Sequence, residues 1–324
     1  MERAPTQLDS YYGLDMVESS VWATRCPVVA IIVSYNPDAA RLRRVVQALE
    51  GAPCRVVLVD NASAADPAAL FDANDRGKII VHRMGINAGI GKALNAGVEI
   101  ARSLHATHVL LMDQDSVPRP GMVSRLLAWD AELRARGVAL SAIGPRFADA
   151  VSGQLSRHVR FARWHVGRID CGTSNEPVPV DYLITSGSLI ALDTLERVGP
   201  MDESLFIDHV DTEWILRARS LGLQAYGACD AVMEHELGEF RRRVWLLRWR
   251  DVPFHKPFRY YYIVRNSLAL YQRAYMPREW IRVDAVRLLQ IFVYMSLFHP
   301  QRWQFLRMAI RGVRDALAGR SGAL

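Results

Sequence analysis

Four consecutive apolar residues, Val109 to Met112, run directly into the acidic triplet Asp113-Gln114-Asp115. An apolar run of this kind is typical of a strand buried on both faces of a parallel sheet. The two carboxylates would then lie at the carboxyl edge of the sheet, where open α/β sheets bind ligands. Their oxygen atoms suit a Mg²⁺ or Mn²⁺ ion shared with a diphosphate. A turn with local Asp hydrogen bonds explains the triplet, taken alone, equally well.

Three further apolar runs of strand length precede this stretch, at residues 28–33, 55–59 and 79–81. Residues 38–49 repeat apolar positions at helical spacing between the first two runs. Polar residues follow these two runs at once, namely Tyr35, Asn36, Asp60 and Asn61. The alternation of strands and helices predicts a mostly parallel α/β sheet with right-handed crossovers.

A glycine-bearing loop, residues 87–97, leads into another predicted helix. Helix N-termini that permit close backbone approach are natural phosphate sites, and Lys92 adds a positive charge there. Asn87 and Gly89 are candidate ligand-binding residues of the same loop. The spacing matches neither G-x-G-x-x-G after a strand nor a P-loop, which argues against dinucleotide and NTPase sites. Packing alone explains the small residues about as well.

The stretch beyond the acidic triplet predicts a helix at 122–136 and a strand at 139–143. Residues 146–179 have few periodic runs and are rich in Gly, Ser, Arg and aromatic residues. Long irregular connections inside compact domains are usually functional or mobile. We interpret this one as part of an acceptor-side loop, with an ordinary surface loop as the alternative. Residues 180–192 then return to the core.

A helix is predicted to begin near residue 208, with a buried stripe at Val210, Trp214, Ala218 and Leu221. Asp208 is predicted to cap this helix, and Glu213 and Arg217 to form an ordinary i,i+4 ion pair. Asp211 lies in the first turn, where the helix dipole stabilises its ionised form. A carboxylate at a helix start beside a ligand-binding edge is a candidate general base.

A last strand is predicted at 232–238 and carries His235. The pattern is not H-E-x-x-H, because Glu239 and Phe240 occupy the positions that a second ligand would need. A lone histidine is more often a hydrogen-bonded core or rim residue than a metal ligand. The neighbouring motifs nevertheless make His235 a candidate ligand.

The chain divides by charge near residue 240. Residues 1–240 carry 23 Lys and Arg against 30 Asp and Glu, whereas residues 241–324 carry 17 against 4. We therefore predict an N-terminal arm at 1–27, a ligand-binding domain at 28–240 and a basic, aromatic-rich helical region at 241–324. The apolar run 288–298 is too short to span a bilayer, which needs about 20 residues. The last region either lies on an anionic membrane surface or packs on the core.

The cysteines are far apart and include no C-x-x-C pair; they are Cys26, Cys54, Cys171 and Cys229. This spacing argues against a zinc ribbon or a secreted disulfide framework and fits a reducing cytosol. Residues 1–24 contain acidic and polar residues where a secretory signal would need an apolar segment. We expect a cytoplasmic protein, peripheral on the inner face of the membrane if the basic region binds lipid.

Taken in order, these motifs resemble the inverting family-two glycosyltransferases, in particular their bacterial rhamnosyltransferase branch. The resemblance covers about residues 28–240 and includes Ser186-Gly187-Ser188 and the segment 210–214 with Arg217. It implies the A-type glycosyltransferase fold and a nucleotide-sugar donor, dTDP-L-rhamnose first and a UDP-sugar such as UDP-galactofuranose as the alternative. The implied acceptor is a saccharide or a polyprenyl-linked sugar.

The resemblance also implies roles for individual residues. The nucleotide-sugar contacts would be Tyr35, Asn36, Asp60, Asn61, Asn87, Gly89, Lys92, Asp113 and Gln114. Asp113, Asp115 and His235 would hold the Mg²⁺ or Mn²⁺ ion, and Asp211 would be the base. The family's Glu-Asp pair before the helix is Val210-Asp211 here, so one acid is missing.

Two other classes of function fit the sequence less well. A nucleic-acid binder would use the basic region for phosphate contacts but would leave the acids at the strand ends without a role. A nonenzymatic nucleotide-sugar binder would need Asp60 and Asp113 but not Asp211. We therefore expect an enzyme that does not bind nucleic acid; the oligomeric state is left open.

Overall fold

The computed structural model of the protein describes residues 27–72, 78–149, 153–173, 175–235, 241–246 and 248–324. Its strands are β1 Val28–Ser34, β2 Cys54–Asp60, β3 Ile79–Arg83, β4 His108–Asp113, β5 Ser116–Pro118, β6 Leu140–Asp149, β7 His158–Phe161, β8 Val166–Ile169, β9 Val178–Val180, β10 Leu189–Ala191, β11 Gln224–His235, β12 Arg241–Leu246 and β13 Arg248–Pro253. Its α-helices are α1 Ala39–Leu49, α2 Ile90–Ser103, α3 Met122–Ala135, α4 Leu192–Val198, α5 Val210–Ser220, α6 Pro257–Tyr271, α7 Arg278–Phe298 and α8 Arg302–Leu317. Short 3-10 helices cover Pro67–Leu70 and Glu203–Leu205.

One mixed sheet organises the domain, with strand order β3-β2-β1-β4-β10-β6-β11-β5 and β9 paired to β11. Strands β3, β2, β1 and β4 are parallel, as predicted. Ser34 is level with Asp60, and Val33 is level with Asp113. The first half of the sheet therefore ends its strands on polar residues at one shared edge.

The second half of the sheet is mixed rather than parallel. Strand β10 is antiparallel to both β4 and β6, and β5 and β9 are antiparallel to β11. Strand β6 remains parallel to β11. A three-residue strand such as β10 carries too little sequence pattern to reveal its direction, because direction is set by the partners it meets.

Apolar layers cover both faces of the sheet. One contains α2, α4 and α5 and is centred on residues such as Ile31, Leu94 and Trp214. The other contains α1 and α3 and includes Leu42 and Leu126. Strands β1, β2 and β4 are thus buried on both faces, as their uninterrupted apolar runs predict.

Residues 146–179 are more regular than predicted. Strand β6 continues to Asp149, β7 pairs with β8 as an antiparallel hairpin, and β9 joins the main sheet through β11. Their polar and aromatic composition does not predict strands. These strands are stabilised mainly by pairing with neighbouring segments and less by a continuous apolar face. The predicted stripe position Leu221 is 44% exposed, because α5 ends at Ser220.

The cysteine prediction needs correction for one pair. Cys171 and Cys229 form a disulfide across 58 residues of sequence. A loop residue and a strand residue are brought together here by the mixed half of the sheet. Sequence spacing cannot reveal such a pairing.

The basic region contains α6, α7 and α8, which pack together around an apolar cluster that includes Tyr260, Met295 and Phe305. Gly312 allows α8 to approach α6 closely, because a side chain there would meet the Tyr261 backbone oxygen at 2.7 Å. The predicted apolar run 288–298 forms the C-terminal half of α7. Among the described residues, no helix combines the length and the apolar character needed to cross a membrane.

Candidate functional site

Asp60 is fully buried at the carboxyl end of β2. Its carboxylate accepts hydrogen bonds from the backbone N–H and the hydroxyl of Ser63, and lies 3.4 Å from both Ser34 Oγ and Arg83 Nε. A buried carboxylate with this many donors is held in one orientation. Ser63 and Arg83 were not predicted as site residues, because neither belongs to a recognisable spacing.

The loop after β1 contacts the acidic triplet. The Tyr35 backbone N–H donates to Gln114 Oε1 at 2.8 Å, and the Tyr35 side chain is exposed. The Asn36 backbone N–H donates to Ser63 Oγ at 2.8 Å, and Asn36 Oδ1 accepts from the Ala64 N–H at 2.9 Å. The predicted residues Tyr35, Asn36 and Gln114 therefore lie at the same sheet edge as Asp60.

The glycine-bearing loop is tied to the end of β2. Asn61 donates through Nδ2 to Asn87 Oδ1 at 3.0 Å, and its Oδ1 accepts from the Ala88 N–H at 3.0 Å. Gly89 has φ +88°, and a side chain there would lie 2.6 Å from the Phe206 backbone oxygen. The loop thus reaches the edge through Asn61 and Asn87, whereas Lys92 points to solvent on the first turn of α2.

Asp113 ends β4, and its backbone N–H donates to Ser186 Oγ at 3.0 Å. Burial, followed by the charges of Asp115 and Asp211, raises the pKa of Asp113 to about 7, although Arg259 opposes the shift. Several carboxylates are therefore crowded at one edge. An oxygen-ligated divalent cation fits such a site, because its charge would relieve their mutual repulsion.

For His235 the structure describes the backbone but not the side chain. It is the last residue of β11, level with Ser116 of β5, which directly follows Asp115. Strand pairing therefore brings position 235 beside the acidic triplet. The side chain of His235 lies outside the described atoms, so its role as a metal ligand stays a prediction.

Asp211 lies in the first turn of α5 and receives four hydrogen bonds. Oδ1 accepts from the Thr212 backbone N–H at 2.7 Å and from Thr212 Oγ1 at 3.3 Å. Oδ2 accepts from Tyr182 Oη and the Thr185 N–H, both at 3.3 Å. Burial nevertheless raises the pKa of Asp211, so desolvation outweighs these donors and the expected help from the helix start. A carboxylate with a raised pKa is a stronger base.

A cavity of about 520 Å³ lies beside the two acidic positions. Asp113 and Asp211 both line it. The rest of its wall includes residues from the β7–β8 hairpin and from the C-terminal helices, among them Val159, Phe161, Val166, Arg259, Trp280 and Arg287. Residues beyond position 240 thus help to form the cavity, which the charge boundary alone did not indicate.

Asp208 does not cap α5, contrary to the prediction. The residue before the helix is His209, which has φ +64° and makes no side-chain capping bond. Asp208 itself has φ +63°, and its carboxylate pairs with Arg259 of α6 at 3.0 Å. The ion pair with a residue 51 positions away prevails over the local cap, and sequence spacing gives no signal of it.

The Glu213 and Arg217 pair forms as predicted, with Nε to Oε1 at 2.8 Å. It is not an ordinary surface pair, because Glu213 is buried. Glu213 also accepts from Tyr275 Oη at 2.6 Å and lies 3.4 Å from Arg273. Glu213 therefore joins α5 to the chain after α6.

The segment before α5 has an unusual backbone that α6 holds in place. Phe206, Asp208 and His209 all have positive φ values of 63–65°, which cost of order 1–3 kcal/mol each for residues other than glycine. Asn266 Nδ2 donates to the Leu205, Ile207 and Asp208 carbonyls at 2.8–3.1 Å. These bonds over-determine the conformation that presents Asp211.

Arg265 reinforces the same segment. Its Nη2 donates to the Leu205 carbonyl at 2.9 Å and to the Ser204 carbonyl at 3.2 Å. Both Arg265 and Asn266 are 1% exposed. Neither stood out in the sequence, because a buried Arg-Asn pair inside a helix matches no catalytic motif.

Three comparisons relate this chain to known proteins. The family model described as Glycosyl transferase family 2 matches residues 29–184. The dTDP-rhamnosyl transferase RfbF of Shigella flexneri is 30% identical over 300 residues, which cover 91% of this chain and 97% of that protein.

Solved structures show the fold. The crystal structure of S. aureus TarS 1-349 in complex with UDP-GlcNAc has a TM-score of 0.56 at 14% identity, covering 90% of this chain and 80% of that chain. The crystal structure of GalNAc-T7 with UDP, GalNAc and Mn²⁺ has a TM-score of 0.54 at 13% identity, covering 86% of this chain and 59% of that chain. The architecture is the A-type glycosyltransferase fold, as predicted.

We expect Asn266→Ala to loosen the segment before α5, because three carbonyls lose a buried donor. Leaving such groups unsatisfied should destabilise the protein by about 1–3 kcal/mol. Hydrogen exchange of residues 204–211 should accelerate more than exchange in β1. Gln272→Ala, an exposed position just beyond the same helix, is the matched control. Unchanged protection of residues 204–211 in Asn266→Ala would show that this amide does not hold the segment.

Proposed function

Because this chain belongs to glycosyl transferase family 2, we propose that it moves L-rhamnose from dTDP-L-rhamnose, with inversion, to a saccharide or polyprenyl-linked acceptor in cell-surface polysaccharide synthesis. The donor is suggested by the similarity to RfbF, which extends over nearly the whole chain. The observation that carries the proposed chemistry is one cavity, which Asp113 and Asp211 both line. It offers a cation site and a base to the same bound sugar.

The donor would occupy the edge formed by β1, β2 and β4. Asp60 is the candidate nucleoside contact, held by Ser63 and its neighbours. Tyr35 lies beside it with an exposed ring that is available to stack on a base. Asn87 and Gly89 offer polar backbone and amide groups, and the exposed Lys92 can meet a phosphate from the solvent side.

Asp113, Asp115 and His235 are the residues that we propose hold a Mg²⁺ or Mn²⁺ ion. When bound, the ion would stabilise the negative charge that develops on the departing nucleoside diphosphate. Arg259 and Arg287 line the same cavity. Their guanidinium groups can add positive charge near the diphosphate, although each already pairs with an acid of its own.

Asp211 is the proposed general base. Its carboxylate removes the proton from an acceptor hydroxyl, whose oxygen forms a bond to the anomeric carbon from the face opposite the nucleotide. The bond from that carbon to the diphosphate oxygen breaks, and the diphosphate leaves with the electron pair. Tyr182 and Thr185 hold the carboxylate in place through Oδ2. No covalent sugar-enzyme intermediate is needed.

We expect Asp211→Asn to lower turnover by about 10²- to 10⁴-fold, the usual contribution of a general base. Donor and metal affinity, measured by calorimetry, should stay near the wild-type values. Asp193→Asn is the control, since Asp193 also lies in a first helical turn but is exposed. Near-normal turnover of Asp211→Asn would exclude it as the base.

The pH profile provides a second readout for the same residue. The ionised carboxylate is the active form, and burial raises its pKa above the usual range for Asp. Wild-type turnover should therefore decline on acidification at a higher pH than an ordinary carboxylate would allow. The part of this decline that comes from Asp211 should be absent from the residual activity of Asp211→Asn, in which Asp113 still titrates.

We expect Asp115→Ala to abolish metal-dependent donor binding while the fold survives, because the side chain is only partly buried at the sheet edge. Thermal shift with dTDP-L-rhamnose and with UDP-galactofuranose, each with and without Mn²⁺, measures this and compares the two donors. Glu99→Ala, an exposed acid on α2, is the control. A metal-dependent shift of wild-type size in Asp115→Ala would end the metal-site assignment.

The C-terminal helices support a proposed location on the inner face of the cytoplasmic membrane. Apolar side chains of α7 are exposed at helical spacing, at Leu289, Phe292, Val293 and Leu297. On α8 the corresponding exposed residues are Trp303, Ile310, Val313 and Leu317. Exposed Arg side chains accompany them, with Arg302 over the Trp303 ring at 5.9 Å. Such a surface suits anionic lipid headgroups and the acyl boundary below them.

We expect the full-length protein to sediment with anionic liposomes and to be released by salt, because screening weakens the attraction of Arg for the surface. The double variant Leu289→Glu, Leu297→Glu should lose binding. Leu221→Glu, another exposed leucine, should retain it. Truncation after residue 240 is a poor test, because it would also remove Asn266, which holds the segment before Asp211. Equal sedimentation of the double variant would contradict the lipid-facing role.

A further inference from the structure

A cluster at the base of the β7–β8 hairpin brings together one imidazole and two sulfur atoms. His158 begins β7, Cys171 follows β8, and Cys229 lies within β11. One ring nitrogen of His158 and both Sγ atoms lie within 4.8 Å of one another. His158 and Cys229 are buried, and Cys171 is partly exposed. The proposed sugar transfer uses none of these three side chains.

The imidazole has an unused nitrogen. His158 Nε2 is buried, and no hydrogen-bond partner for it exists among the described residues. The ring also makes a hydrogen bond with the backbone of Ala228, which we assign to Nδ1 because Nε2 has no partner among the described residues. Buried polar atoms are nearly always satisfied, so an unpartnered one calls for an explanation such as a ligand. A metal-bound histidine has this arrangement, with one nitrogen on a carbonyl and the other on the ion.

The backbone of β11 is adapted to the cluster. A side chain at Gly227 would collide with the His158 ring, so glycine allows the imidazole to pack against the strand. The pairing of β11 with β6 is interrupted between Gly227 and Val232, and Cys229 lies in this interruption. Such irregularities re-aim side chains within a sheet. Here the irregular segment carries Cys229, which meets Cys171.

We propose that, once the Cys171–Cys229 disulfide is reduced, the two sulfurs and His158 Nε2 bind one Zn²⁺ ion. Two thiolates and one imidazole are a ligand set that Zn²⁺ favours, with water able to complete four-coordination. A phosphine reductant and one water convert the disulfide to two thiols and the phosphine oxide. The incoming ion then replaces the two thiol protons, which are released.

The site would hold the hairpin against the main sheet in the reduced protein, as the disulfide does in the oxidised one. Val159, Phe161 and Val166 of this hairpin line the cavity that contains Asp211. Tyr182, which donates to Asp211, forms a bridge with Val159. The ion would thus be structural, with no contact to the reacting atoms, and would fix one wall of the cavity.

Cobalt titration tests the site directly. The full-length protein is reduced with a phosphine, stripped with a chelator and titrated with Co²⁺ in excess Mg²⁺, which occupies any oxygen-ligand site at Asp113 and Asp115. We expect one equivalent of Co²⁺ to produce the near-ultraviolet thiolate-to-cobalt absorption band, and Zn²⁺ to displace it. The unreduced protein should give no band, because a disulfide offers no thiolate.

Variants identify the ligands. Cys171→Ser and Cys229→Ser should each abolish or strongly reduce the band, and Cys54→Ser should retain it. His158→Gln should weaken Co²⁺ binding by about tenfold or more, the loss known for even an outer partner of a metal ligand. Far-ultraviolet circular dichroism checks that each variant is folded.

Two outcomes would overturn the proposal. The first is a reduced wild-type protein that gives no thiolate band, which would mean that the two cysteines form a disulfide but do not bind the metal. The second is a band that persists in the Cys171→Ser, Cys229→Ser double variant. If the reduced wild-type protein gives the cobalt band but transfers no sugar, the result contradicts the proposed function and supports this metal site.

Discussion

The side-chain amide of Asn266 is the interaction on which the active geometry depends. It donates to three carbonyls of a segment whose backbone contains several positive φ values, and Arg265 adds two more bonds. These donors help to stabilise a backbone conformation that is otherwise costly for residues other than glycine. Asp211 lies in the first turn of α5, the helix that follows this segment at once. The position of the proposed base is therefore fixed by a helix that lies outside the matched family region of residues 29–184.

Electrostatic crowding is the second constraint. Burial, followed by the charges of Asp115 and Asp211, raises the pKa of Asp113 to about 7. Natural proteins tolerate such repulsion at functional sites, where a bound cation or a proton transfer makes use of it. The Asp208 and Arg259 pair partly offsets it, since Arg259 lowers the pKa of Asp113. Asp113 and Asp211 therefore lie at one cavity, where the positive charge of Arg259 from α6 partly offsets their repulsion.

The sequence predicts the first half of the sheet well and the cavity poorly. Strands β1, β2 and β4 are long apolar runs buried on both faces, so their residues and their polar ends are readable from local pattern. The β7–β8 hairpin, the direction of β10 and the Cys171–Cys229 disulfide depend on partners distant in sequence. The same holds for Asp208, which resembles a cap but pairs with Arg259. Local periodicity indicates the secondary structure that a segment prefers by itself. The structure of these segments is determined by contacts with residues distant in sequence instead.

The two halves of the sheet also differ in when their residues are synthesised. Strands β1 to β4 and the helices between them come from residues 28–113, so this half of the sheet is synthesised well before the C-terminal helices. The segment carrying Asp208 and Asp211 waits for Asn266, which leaves the ribosome more than 50 residues later. A nascent chain of 240 residues would contain the proposed donor-binding edge and the proposed base, but it would lack the Asn266 amide that holds the segment before Asp211. We therefore expect the segment before Asp211 to reach its final conformation only after α6 has docked.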